Sequence, residues 1–240
     1  MIEKVEDIDE LKPFDNTDLF FVRIMSLAKA YGCEYPFARF YKQIDDNDKI
    51  TAIASFLDGD VTLCVSEEYN NNELSDFFNM LGYSSLLCDS RFENDSPFQE
   101  GAVMKSSKKF EVECDFTEID EYPHLFDLYN FIDYPQNDFQ SWYVDISHRI
   151  RHSCAKAASL NLDEEIVSSA ILSSIYGNDA IITAVRTNPK YTGRGCGSAL
   201  VSALCAEVTG TVYLMREENK NEAFYKRLGF ENCGKWRIYK

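Results

Sequence analysis

Between a β-prone run ending at Thr187 and an apolar helical run beginning at Ser198, the chain sets glycines at 193, 195 and 197. Few features restrict a fold more. Glycines at alternate positions admit backbone conformations closed to other residues, and they place no side chain in a ligand's way. A strand, a bare loop and a helix start then form a cradle of amide hydrogens facing one point. Arg194 adds a permanent positive charge inside the loop. The chemistry suited to this cradle is an anion, above all a phosphate.

Two common phosphate motifs do not fit. A P-loop requires Lys and then Ser or Thr after its last glycine, whereas Gly197 is followed by Ser198 and Ala199. A dinucleotide fingerprint requires a glycine three residues after the second one. Gly195 is instead followed by Cys196, Gly197 and Ser198, and the preceding strand belongs to an antiparallel meander.

The periodicity around the loop gives the surroundings. Residues 119–132 and 138–150 have helical spacing. Strands are expected at 152–160, 165–175 and 180–187, with Asn161–Glu164 and Gly177–Asp179 as turns. After the loop come a helix over 198–208, a strand over 211–215, a helix over 221–228 ended by Gly229, and a strand over 235–239. The first half has a similar order. A helix is expected over 16–31, capped by Asn16 or Thr17. Strands at 37–44, 49–57 and 61–66 follow, separated by Asp45–Asp48 and Asp58-Gly59-Asp60. Next come a helix over 73–81 stopped by Gly82 and a strand over 83–88. A further strand is expected over 110–116. The fold class is α+β: two units, each a mostly antiparallel mixed sheet flanked by helices, divided as 1–119 and 120–240.

Motifs in the second unit resemble the GNAT superfamily of N-acetyltransferases. They are Ala184-Val185-Arg186-Thr187-Asn188-Pro189-Lys190-Tyr191, then Gly193-Arg194-Gly195-Cys196-Gly197-Ser198, then Ala223-Phe224-Tyr225-Lys226-Arg227-Leu228-Gly229-Phe230. The resemblance covers roughly residues 120–240. It implies acetyl-CoA as donor and a primary amine of a small molecule as acceptor, joined by direct attack in a ternary complex. Carried over, Val185, Arg186 and Thr187 pair through their backbone with the pantetheine arm. Thr192, Gly193, Arg194, Gly195, Cys196, Gly197 and Ser198 surround the pyrophosphate, and Tyr225 protonates the departing thiolate. Thr192 stands where the family has Gln or Arg. The family's upstream Asn falls at Glu218, with Asn219 and Asn221 beside it as substitutes. No acid or His lies in the 180–187 strand to serve as general base. The other function class left open is a CoA-binding sensor or interaction module without turnover. In the first unit, the loop Glu67–Glu73 has no glycine and three acids, so that unit reads as a degenerate copy that does not bind CoA.

Charge divides the chain in the same place. The net charge is −16. Residues 1–125 hold 27 acids and 11 bases, and residues 126–240 hold 13 of each, so the surplus belongs to the first part. Such a balance argues against nucleic acid as partner and points to a cationic acceptor. No apolar run is long enough for a membrane helix. The acidic segment Met1–Asp7 lacks an export-signal core, so a cytoplasmic location is expected. A monomer and a homodimer are equally compatible with the sequence. The eight cysteines form no C-x-x-C pair and read as reduced thiols. His148, His152 and Cys154 lack a further ligand at zinc spacing, so no metal is expected. Cys196 has no base beside it in sequence to make it a nucleophile.

Overall fold

The structure, a computed structural model, describes residues 1–110, 119–133 and 138–240. In chain order the elements are β1 (Ile2–Lys4), α1 (Leu19–Tyr31), β2 (Ala38–Ile44), β3 (Ile50–Leu57), β4 (Asp60–Val65), α2 (Asn71–Leu81), β5 (Ser85–Asp89) and β6 (Phe98–Ser106). They continue with β7 (Ile119–Asp120), α3 (Leu125–Ile132), α4 (Phe139–Arg151), β8 (Lys156–Leu162), β9 (Glu165–Tyr176) and β10 (Asp179–Thr187). The last are α5 (Cys196–Ala206), β11 (Val212–Glu217), α6 (Glu222–Arg227) and β12 (Glu231–Tyr239). This is the expected α+β class with mostly antiparallel pairing. Two compact units are formed. One comprises Met1–Met104, Met215–Glu222 and Asn232–Lys240; the other comprises Lys105–Leu214 and Ala223–Glu231.

In the first unit β2, β3 and β4 form an antiparallel meander, with β1 on the outer side of β2. Both turns follow from their acids. The Asp45 carboxylate accepts the amides of Asn47 and Lys49, and Asp58-Gly59 both take positive φ, as a tight hairpin requires. β5 pairs parallel to β4, and β12 pairs antiparallel to β5. From Asn232 onward the chain therefore completes the N-terminal unit, where Trp236 and Tyr239 are buried.

Several expectations need correction here. Asp18, not Asn16 or Thr17, caps α1: its carboxylate accepts the Phe21 amide at 2.9 Å. Asn16 instead donates to the Val65 carbonyl and to Asp18 itself. A charged acceptor makes the stronger cap. Burial pushes the Asp18 carboxyl up from its ordinary range. The strand expected over 110–116 falls almost entirely outside the described residues, while β6 lies earlier. Gly101 interrupts the apolar alternation there, because a Cβ would meet Trp236 and the Arg216 carbonyl at 2.5 Å or less.

In the second unit the strands order as β11-β10-β9-β8-β7. All neighbours are antiparallel except β10 and β11. Residues 119–132 are not one helix. Ile119 and Asp120 join the edge of β8, and α3 starts only at Leu125, two residues past Pro123, whose predecessor is steered to extended backbone. α3 and α4 seal a core of Leu128, Ile132, Ile146, Ala155, Ala157 and Ile171. α5 packs across β8, β9 and β10 through Leu200, Val201 and Leu204.

Candidate functional site

β10 loses the regular company of both neighbours near one place. Its parallel pairing with β11 is confined to Ala180 with Val212 and Ile181 with Tyr213. Its antiparallel register with β9 then jumps from Thr183–Ile171 to Arg186–Ser169, leaving Ala184 and Val185 outside the ladder. Ala184 sits at φ 54°, a left-handed conformation that costs an L residue about 1–2 kcal/mol. Such a bulge re-aims the peptide groups it contains.

Two serines of β9 hold the bulge from the other side. The Ser169 hydroxyl donates to the Ala184 carbonyl at 2.9 Å, and the Ser168 hydroxyl to the Arg186 carbonyl at 3.0 Å. Neither was singled out from the sequence. The signal available was a pair of adjacent serines inside the otherwise apolar run Val167–Leu172. The Arg186 guanidinium turns away to cap α3, donating to the Ile132 carbonyl at 2.7 Å.

The chain leaves β10 through a loop that supports itself. The Asn188 side chain accepts the Lys190 amide, Tyr191 and Thr192 close a short turn onto Asn188 and Pro189, and the Arg194 amide returns to the Tyr191 carbonyl at 3.3 Å. The Arg194 guanidinium lies over the Tyr191 ring at 5.3 Å. Gly193 and Gly195 take φ of 79° and 84°, and a Cβ on either would meet nothing within 4 Å. They are glycines for their backbone conformation, and the space above them is open.

Gly195 is also the N-cap of α5 and supplies no capping side chain. The first three helical amides, those of Cys196, Gly197 and Ser198, therefore have no intrahelical acceptor. Together with the helix dipole they form a site for an anion. Gly197 has a different reason to be glycine. A Cβ there would come 2.8 Å from Thr187 Oγ1 and 3.7 Å from the Phe224 ring, so α5 starts in close contact with the end of β10.

Tyr225 is buried in α6, with the Phe224 and Phe230 rings at 5.0 and 5.9 Å. Burial, with a smaller contribution from the Cys205 thiol, pushes its phenol up to about 12. It is Phe224, its neighbour in sequence, whose ring reaches the first turn of α5. Asn219 and Asn221 both take positive φ in the exposed turn between β11 and α6, a conformation that Asn tolerates well. Cys196 is buried in the first turn of α5. His148 and His152 stack at 4.2 Å at the end of α4, and among the described residues no three His, Cys, Asp or Glu side chains gather as metal ligands. Arg149 is committed to the Ser173 carbonyl and to Asp145.

A strand broken on both sides thus lies beside a helix that starts uncapped, an arrangement suited to an anion. Residues 116–230 match the model of the acetyltransferase (GNAT) family, and this part of the chain belongs to that family. No curated protein sequence matches the chain. Solved structures resemble it over its whole length. A Drosophila protein aligns at 12% identity over 100% of this chain and 98% of its own, with a TM-score of 0.66. A GCN5-related N-acetyltransferase from Sphaerobacter thermophilus aligns at 12% identity over 100% and 94%, with a TM-score of 0.62. A tandem GNAT protein from the clavulanic acid biosynthesis pathway aligns at 11% identity over 100% and 98%, with a TM-score of 0.56. At these identities the likeness is one of fold.

Proposed function

We propose that the protein transfers an acetyl group from acetyl-CoA to a primary amine of a small molecule, the amine attacking the thioester directly. The observation that carries this reading is the coincidence of the β10 bulge with the uncapped start of α5. Unpaired amides at Cys196–Ser198 suit a pyrophosphate, and open space over Gly193 and Gly195 leaves room for it. The peptide groups of Val185 to Thr187 suit the amides and carbonyls of a pantetheine arm. One of the bulge amides, fixed before the reaction begins, would stabilise the thioester oxygen as negative charge gathers on it.

Tyr225 is the donor proposed for the departing sulfur. A phenol held near 12 is protonated at neutral pH, so it meets the sulfur as a hydrogen-bond donor. The same value makes full transfer to an ordinary thiolate uphill. Its part is thus to stabilise the developing charge, while the proton that ends on sulfur comes from the attacking amine. The products balance as an N-acetyl amide and free CoA thiol.

The acidic surplus of residues 1–125 supports a cationic acceptor. Thiol release from acetyl-CoA, followed with polyamines, aminoglycosides and acidic amino acids, tests both parts. Cationic amines are expected to support release with the highest kcat/KM. Preference for acidic amines would remove the cationic acceptor. No release with any amine, while CoA still binds, would favour a sensor over an enzyme.

A further inference from the structure

We propose that Ser168 and Ser169 are positioning residues that set both ends of the acyl-CoA site; this inference rests on the function proposed above. Both are fully buried in β9. A buried hydroxyl is costly unless it is bonded, and these two are spent on the backbone of the bulge. Ser169 donates to the carbonyl of Ala184 at 2.9 Å, and Ser168 to that of Arg186 at 3.0 Å. These carbonyls flank Val185. Ala184 and Val185 fall outside the register with β9, which resumes only at Arg186 opposite Ser169, so the ladder does not hold the bulge itself. The Ser169 hydroxyl holds the bulge at Ala184, and the Ser168 hydroxyl holds the peptide at Arg186 where the ladder resumes.

Ser168 does more. Its single proton goes to the Arg186 carbonyl, so its oxygen accepts from the Thr187 hydroxyl, 3.0 Å away. Thr187 Oγ1 is in turn the atom on which the first turn of α5 rests, at Gly197. One strand therefore fixes the bulge through Ser169 and joins the bulge to the helix start through Ser168. A comparison within β9 shows that this bonding is local. Ser174 is equally buried, yet its hydroxyl has no partner.

Calorimetric titration with CoA, and with its adenosine bisphosphate fragment, separates the roles. Ser169→Ala is expected to weaken CoA about tenfold, the worth of roughly one bond to a buried carbonyl, while leaving the fragment within about twofold. Ser168→Ala and the isosteric Thr187→Val are expected to weaken both ligands. Ser168→Thr, which keeps the hydroxyl, is expected to restore both. Ser174→Ala should match wild type for both and so controls for loss of a buried hydroxyl as such. If Ser168→Ala does not fold, Thr187→Val decides the same link from its half-buried side. The inference is overturned if Ser169→Ala behaves like Ser174→Ala, or if it weakens CoA and fragment equally. Absence of CoA binding by the wild type would overturn the parent reading, and this one with it.

Discussion

Tyr225 shows what a single residue's motif position conveys and what it conceals. Its place ahead of Leu228-Gly229-Phe230 was legible in the sequence, and so was its role as proposed donor. Its place beside Phe224 and Phe230 follows from the same short motif, but the approach of Cys205 was not legible, because that thiol is brought in on α5. Burial supplies two tests of one substitution. Tyr225→Phe should lower kcat for amine-dependent thiol release about a hundredfold, the usual worth of one donor aimed at developing charge, and should change KM for acetyl-CoA little. A loss confined to KM would make the residue packing only. The second test concerns pH. The folded-state phenol is raised from 10 to about 12, so its contribution to stability is whole below pH 10 and is lost as pH rises through about 12. Denaturation midpoints of wild type should fall more steeply than those of Tyr225→Phe between pH 10 and 12. Parallel curves would contradict the shift. Elsewhere many acids of the first half have local tasks that composition hides. Asp18 caps a helix, Asp45 closes a turn, and Glu10, bonded to Lys42 and two backbone amides, is held down at about 2.

Among the elements, regular strands and helices could be placed from periodicity and turn residues, and the departures came where tertiary pairing decides. β1 is too short to register as a pattern and exists because β2 offers it an edge. β6 lacks a clean alternation because Gly101 leaves room for Trp236. The bulge in β10 has no glycine to announce it; Ala184 adopts the left-handed conformation, and the serines that hold it lie on another strand. Gly197 was legible as part of a loop for phosphate, but its own reason is the close approach of α5 to Thr187. That distinction predicts the outcome of Gly197→Ala. Alanine gains up to about 1 kcal/mol in helix propensity, while forcing a Cβ against a short, bonded, β-branched side chain costs about 1–3 kcal/mol. The second term wins, so the variant should lose about 1 kcal/mol in urea unfolding and bind CoA more weakly. A gain in stability with unchanged CoA affinity would show that Thr187 yields freely.

At the scale of the whole molecule, the sequence suggested a boundary near residue 120, and the compact units divide the chain differently. Residues 215–222 and 232–240 belong with the N-terminal unit. Sequence patterns are local and carry little information about which sheet a terminal strand joins. The consequence is testable by truncation. Deleting residues 232–240 removes Trp236, whose indole donates to the Arg216 carbonyl, and Tyr239, whose hydroxyl donates to the Phe92 carbonyl. Each buried aromatic is worth about 3–5 kcal/mol, against a total stability of about 5–15 kcal/mol for an ordinary domain. The truncated chain should lose the protease resistance of residues 1–104. Persistence of that resistance would mean that the N-terminal unit is complete without its last strand.

The central claim is that acetyl-CoA lies along β10 and the start of α5. Titrating amide-labelled protein with CoA, with the resonances assigned, reads that contact directly. The account predicts that the largest shifts fall on Val185–Thr187 and Gly193–Ser198. Saturation with no shift at these amides, or with the largest shifts in the glycine-free loop of Glu67–Glu73, would contradict it.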